Sequence, residues 1–173
     1  MKILAIRLKN LASLAGPFEI DFTAEPLASA GLFAITGPTG AGKSTLLDAL
    51  CLALFGAVPR LGNLGKEGKI PEIDAELGTD DARTLLRRGT GSGYAEVDFV
   101  GADGHRYRAR WEANRARDKA NGRLQAVRHS LYDLDINQLL ASQKKEAEQL
   151  IQAKLGLNFA QFTRAVMLAQ SEF

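Results

Sequence analysis

The chain has 173 residues and a mass of 18.7 kDa, with 46% apolar and 24% charged residues. That is the size and composition of one ordinary globular domain, and it excludes fibrous, collagen-like and disordered classes. Lys plus Arg number 22 against 20 Asp plus Glu, a net charge of +2 that neither demands nor excludes a polyanionic partner.

One cysteine, Cys51, excludes an internal disulfide framework. No apolar run approaches the roughly 20 residues of a spanning helix, and the first residues are too few and too charged for a signal peptide. These features together predict a soluble cytoplasmic protein with no membrane partner. Residues 2–8 carry Ile3, Leu4, Ile6 and Leu8 and read as a strand; 9–16 is a polar loop. Residues 17–22 alternate apolar and acidic side chains, as a half-buried antiparallel strand hairpinned with the first would. Residues 31–36 are nearly all apolar and predict a strand covered on both faces. A helix opens at Gly42 or Lys43, with Leu46, Leu47, Leu50, Ala53 and Leu54 at helical spacing and Gly56 as its stop.

Residues 57–79, rich in glycine and lacking aromatics, predict a long surface loop, and 81–88 a short helix. Three strands follow. Residues 94–100 and 105–111 alternate around an Asp103-Gly104 turn, and 124–134 forms the third, after a turn at 118–122. A helix over 142–155, stopped by Gly156, and a short helix from Phe159 through Val166 complete the pattern.

The chemistry is carried by Gly37-Pro38-Thr39-Gly40-Ala41-Gly42-Lys43-Ser44, a full match to G-x-x-x-x-G-K-[ST]. Its glycines let backbone N–H groups converge on one point. The helix from Lys43 adds its positive end there. Lys43 reaches the β- and γ-phosphates of a nucleotide, and Ser44 offers a hard oxygen to Mg²⁺. Many unrelated activities share this loop, so it indicates a ligand and not a function. Two features narrow the choice. A hairpin precedes the loop, whereas a kinase or GTPase usually opens on the P-loop strand. A glutamine, Gln170, ends an apolar run far downstream.

With these motifs the chain resembles the SMC-like, ABC-type DNA-repair ATPases, and within them the N-terminal part of the SbcC type. The resemblance is carried by residues 1–11, by 31–49, by Val58-Pro59-Arg60-Leu61 and by 162–173. It implies an α/β fold, the N-terminal lobe of a P-loop ABC-type ATPase, with a mixed sheet and an antiparallel portion around the P-loop helix. Residues 1–173 would form that one lobe, cut before a coiled coil. Gly37, Pro38, Thr39, Gly40, Ala41, Gly42, Lys43, Ser44 and Thr45 would hold the ATP phosphates. Ser44 and Gln170 would bind Mg²⁺, with Gln170 also touching the attacking water. Residues 9–13, Asn10 among them, would lie near the adenosine, and Arg87 and Arg88 would approach the nucleotide.

The partners implied are the chain's own C-terminal lobe, a second head across two sandwiched ATP molecules, a metal-dependent SbcD-type nuclease subunit and double-stranded DNA ends. A Walker B Asp, a catalytic Glu, a signature loop and a switch His are not found in this sequence, so the lobe by itself is catalytically incomplete. Another SMC-like head and a free-standing P-loop kinase or GTPase are the alternatives. A third is a DNA-binding module with a vestigial loop.

Residues 83–128 hold eleven basic side chains against five acids. Arg106, Arg108 and Arg110 alternate onto one sheet face, where they could meet DNA phosphates or form a solvated, partner-facing surface. Tyr107 and Trp111 fall on the opposite face and predict core packing.

Overall fold

The computed structural model describes residues 1–62, 68–73 and 75–166. Strands β1 (Lys2–Lys9) and β2 (Phe18–Asp21) form the expected antiparallel hairpin, and α1 spans Lys43–Phe55. The stretch expected to be one long loop holds more. A single helical turn, α2 (Pro59–Gly62), is followed by a small hairpin of β3 (Lys69–Glu72) and β4 (Ala75–Gly78). The helix expected over 81–88 is only a 3-10 turn at Ala82–Leu85, which Asp81 caps by accepting from the Arg83 N–H.

Then come β5 (Ser92–Val100), β6 (Arg106–Asn114), β7 (Arg128–Asp133) and β8 (Gln138–Ala141). Helices α3 (Lys144–Leu155) and α4 (Phe159–Ala165) close the described chain. The third predicted strand is thus shorter than 124–134, and a fourth follows it.

Six strands form one sheet in the order β2-β1-β5-β6-β7-β8. Every pairing among the described residues is antiparallel. The fold is thus α/β in content, as an ABC-type lobe requires, with the antiparallel portion accounting for the whole described sheet.

The core lies between this sheet and α1. Strand alternation sends Val97, Phe99, Tyr107, Ala109 and Trp111 inward, all essentially buried. The second half of α1 is apolar on all sides, so it is buried on all sides: Ala49 through Phe55 are in the core. It packs on β1, β5, β6 and α3. Cys51 is buried there, and His129 is buried with its Nε2 donating to the Ala53 carbonyl at 2.7 Å.

One predicted strand does not form. Residues 31–36 are irregular, with Leu32 93% exposed and Phe33 and Ile35 about half exposed. The apolar pattern is present, but a strand needs a ladder partner. Within the described chain β1 is already paired on both sides, and no strand flanks 31–36. The Phe33 ring meets Phe22, with centroids 5.5 Å apart.

The outer sheet face is a lattice of ion pairs. Arg108 donates to Asp98 at 2.7 and 2.8 Å, and Arg110 to Glu96 at 2.8 Å and Glu112 at 2.9 Å. Arg7 reaches Glu19, Glu96 and Asp98. The register explains the matching, since Asp98 faces Arg108 and Glu96 faces Arg110 across the β5–β6 ladder. Burial opposes ionisation of Asp98, but hydrogen bonds from Arg108 and Arg7 outweigh it and hold its carboxyl below the ordinary range. At the edge, Arg106 is taken by Asp135 at 2.6 Å. The three alternating arginines do share a face, and none is a free cation.

Candidate functional site

The phosphate loop runs into α1 through Gly42, which sits at φ 92 in the left-handed region. A side chain there would be strained, and a Cβ would also meet Leu14 Cδ2 at 2.5 Å. Gly42 offers no side chain to cap α1, and no acid occupies the first turn. The first N–H groups of the helix are therefore without a capping side chain, the arrangement that receives an anion. Lys43 folds back over the loop, its Nζ donating to the Gly37 carbonyl at 2.6 Å and the Pro38 carbonyl at 2.9 Å. Ser44 is exposed, and Thr45, behind it, is buried. A cleft of about 230 Å³ opens beside the loop, with Leu14, Ile35, Thr36 and Ala41 through Lys43 in its lining, and Glu19 of β2, paired to Arg7, on its wall.

The loop after β1 is fastened beside this cleft. Asn10, itself at positive φ, donates from Nδ2 to the Ser92 carbonyl at 2.8 Å, and its own carbonyl accepts from the Arg87 N–H at 2.9 Å. The Arg87 guanidinium donates to the Ser13 carbonyl at 2.6 Å and the Ala12 carbonyl at 3.3 Å. Leu14 then presses on Gly42. Asn10 and Arg87 are thus brought together, and the segment they hold touches the phosphate loop. Asn10 Nδ2 and Arg87 Nη1 donate to carbonyls, so both residues shape the wall of the site. Arg88 is exposed and makes no ion pair among the described residues; it lines a second cleft with Ala12, Thr84, Leu86 and Arg87. Gln170, expected at the metal, lies outside the described residues.

Reading the residues alone misses one feature of α1. Asp48 is buried one turn beyond Ser44, and Arg60 of α2 places Nη2 2.6 Å from its Oδ2. The contact is an ion pair by distance, although its angles fall outside hydrogen-bond geometry. Burial pushes the Asp48 carboxyl up, and the Arg60 charge partly offsets this. The only signal is Arg60 within the 58–61 motif, which carries no spacing that points to Asp48.

The residues present suit a nucleotide with Mg²⁺. There is a helix end without a capping side chain, an ammonium poised over the loop and an exposed hydroxyl at position 44, and no acid stands in the first turn of α1.

Comparison with known proteins gives the family of the chain. A family model described as an AAA domain matches residues 5–173. The chain is 70% identical over its whole length to the SbcC subunit of nuclease SbcCD from Pseudomonas aeruginosa, and 52% identical to that of Rhodobacter capsulatus. Over 69% of the chain it is 34% identical to the DNA double-strand break repair Rad50 ATPase of Methanopyrus kandleri, covering 10% of that protein. It spans 14% of the length of each of the two SbcC proteins.

Proposed function

Because the chain belongs to the AAA domain family, we propose that it is the ATP-binding, N-terminal lobe of a split, SbcC-type DNA-repair ATPase head. The observation that carries this reading is the loop-to-helix junction. Gly42 opens α1 without a side-chain cap, Lys43 lies across the loop, and Ser44 is free to the outside.

In the proposed complex, Lys43 exchanges its contacts to the Gly37 and Pro38 carbonyls for the β- and γ-phosphates. The N–H groups of the first turn donate to phosphate oxygens. Ser44, with Gln170, supplies oxygen to Mg²⁺, which neutralises phosphate charge. Thr36, Leu14 and the Arg87-fastened segment shape the rim. The general base and remaining metal ligand would come from the C-terminal lobe, so this lobe alone binds nucleotide and turns it over little. Two such heads closing on two ATP molecules would gate double-stranded DNA ends toward an SbcD-type nuclease subunit.

The DNA contact of this reading falls elsewhere than on the sheet face. Arg106, Arg108 and Arg110 are neutralised by acids. By contrast Arg117, Lys119, Arg123 and Arg128 are exposed and make no ion pair among the described residues. They support the phosphate-contact role that the alternating arginines do not.

The test of the central claim is calorimetry of ATP binding. Lys43→Ala should weaken binding by roughly 10- to 150-fold, the loss of a charge-assisted contact worth about 1.5–3 kcal/mol. Unchanged affinity would remove the loop from the binding site.

A further inference from the structure

The geometry points to a metal site that the nucleotide reading does not use: His105 Nδ1, Asp133 Oδ2 and Asp135 Oδ2, taking Zn²⁺ with its remaining position open to water. The three residues come from two turns at one end of the sheet. His105 follows the Asp103-Gly104 turn into β6, Asp133 ends β7, and Asp135 lies between β7 and β8. The register brings them together, since Tyr107 faces Asp133 across the β6–β7 ladder. Their ligand atoms all lie within 4.8 Å of one another.

Other atoms of the same residues hold the three in place. Asp133 Oδ1 accepts from the Asp135 N–H at 2.9 Å and the Ile136 N–H at 3.3 Å. The His105 N–H donates to Asp103 Oδ1 at 3.2 Å, and its carbonyl accepts from the Gly101 N–H at 2.9 Å. Asp135 Oδ1 takes Arg106 Nε at 2.6 Å. Its Oδ2 takes the Arg106 N–H at 2.9 Å and keeps a second lone pair. Asp103 is engaged by Tyr107 and Lys154 at 2.8 and 2.9 Å and stays outside the set.

Asp133 is the residue that calls for an ion. Its side chain is only 7% exposed, yet its Oδ2 receives no hydrogen bond among the described residues. His105 Nδ1 stands 3.6 Å from that oxygen and 3.9 Å from Asp135 Oδ2. Both separations are too long for a hydrogen bond. They lie close to the spacing of two ligand atoms on a tetrahedral zinc, about 3.3–3.6 Å for metal–ligand lengths of about 2.0–2.2 Å. An imidazole beside two carboxylates selects zinc over Mg²⁺ and Ca²⁺, which take oxygen. The charge also suits a cation. With the imidazole neutral, two carboxylates against the Arg106 guanidinium leave a net negative site.

The probe is zinc chloride alone, titrated into the intact protein by calorimetry without nucleotide. His105→Phe keeps a ring against Tyr107 and removes the nitrogen. It should lose one zinc equivalent, or bind it at least tenfold more weakly, since even an outer-shell change at a metal site costs that much. Asp133→Asn keeps Oδ1 for the turn N–H groups, puts a donor in place of Oδ2 and should do the same. Zinc should raise the thermal midpoint of the unaltered protein, because it binds the folded arrangement, and should leave that of His105→Phe unmoved. Mg²⁺ in large excess should not displace it.

Equal zinc binding by the unaltered protein and His105→Phe overturns the site, as does ready displacement by Mg²⁺. So does the absence of any zinc equivalent in the unaltered protein, which would leave His105 a plain ion-pair partner of the two aspartates. If Asp133→Asn fails to fold, the half-exposed His105 still decides the matter.

Discussion

The ion pair between Asp48 and Arg60 should be asymmetric, and the asymmetry is measurable. At 2.6 Å and an effective dielectric of about 20, the gross attraction is roughly 6 kcal/mol. The net value is far smaller, because Arg60 is about half exposed and screened, whereas Asp48 is only 8% exposed. Arg60→Met therefore strands a buried carboxylate and should cost about 2 kcal/mol. Asp48→Asn removes the buried charge and returns Arg60 to water, at a cost under about 1 kcal/mol. The double variant should recover most of the Arg60→Met loss, a coupling of about 1–2 kcal/mol in a double-mutant cycle.

Urea titrations from mildly alkaline pH down through the folded-state value of Asp48 add a second test. Burial raises the folded-state pKa of Asp48 above its unfolded value. A raised carboxyl favours the folded state more as pH falls through that folded value, and less as pH rises. Without Arg60 the burial effect is unopposed. The Arg60→Met loss should then be largest at the alkaline end and shrink on acidification. Equal, additive and pH-independent losses for the two single variants would refute the argument.

Three further outcomes follow from the geometry. Gly42→Ala should destabilise the fold by at least about 1 kcal/mol and weaken nucleotide binding, because the new Cβ meets Leu14 at 2.5 Å at a positive φ. Adding Leu14→Ala should relieve the clash and not the backbone strain, so urea midpoints should recover only in part. Asp98 is held below the ordinary carboxylate range, so its stabilisation is present above that range and lost as pH falls through the folded value. Asp98→Asn should flatten the acid limb of stability against pH. Replacing Arg117, Lys119, Arg123 and Arg128 by Gln should reduce the salt slope of DNA binding by up to about 3–4. Arg108→Gln with Arg110→Gln should leave that slope unchanged while lowering the thermal midpoint.

The parts of this molecule that are legible in the sequence are those decided by local chemistry. The phosphate loop needs only its own glycines, Lys43 and Ser44, and β5 and β6 announce themselves by alternation. What the sequence hides depends on neighbours distant in the chain. The pattern at 31–36 shows that those residues can be buried, not that a partner strand is at hand. Arg108 and Arg110 read as free cations because Glu96 and Asp98 face them only once the β5–β6 register is set. The β3–β4 hairpin carries few apolar residues and β8 is four residues long, so neither leaves a periodic signal. Asn10 and Arg87 do belong together, joined through carbonyls of residues distant in the chain, which no spacing could reveal.

The uneven anchoring of the phosphate loop has a consequence for affinity. Its downstream end is rigid, fused to α1 and backed by Leu14. Its upstream end hangs from 31–36, where Leu32 stands almost wholly in solvent. When Lys43 leaves the Gly37 and Pro38 carbonyls for phosphate, that upstream end loses its tie to α1, and a phosphate-cradling shape would be only one fraction of those then open to it. Apparent affinity falls by that fraction. Any surface that covers Leu32, Phe33 and Ile35 would restrict the loop and raise nucleotide affinity with no new contact to the nucleotide. By reciprocity, nucleotide would tighten the covering surface by the same factor.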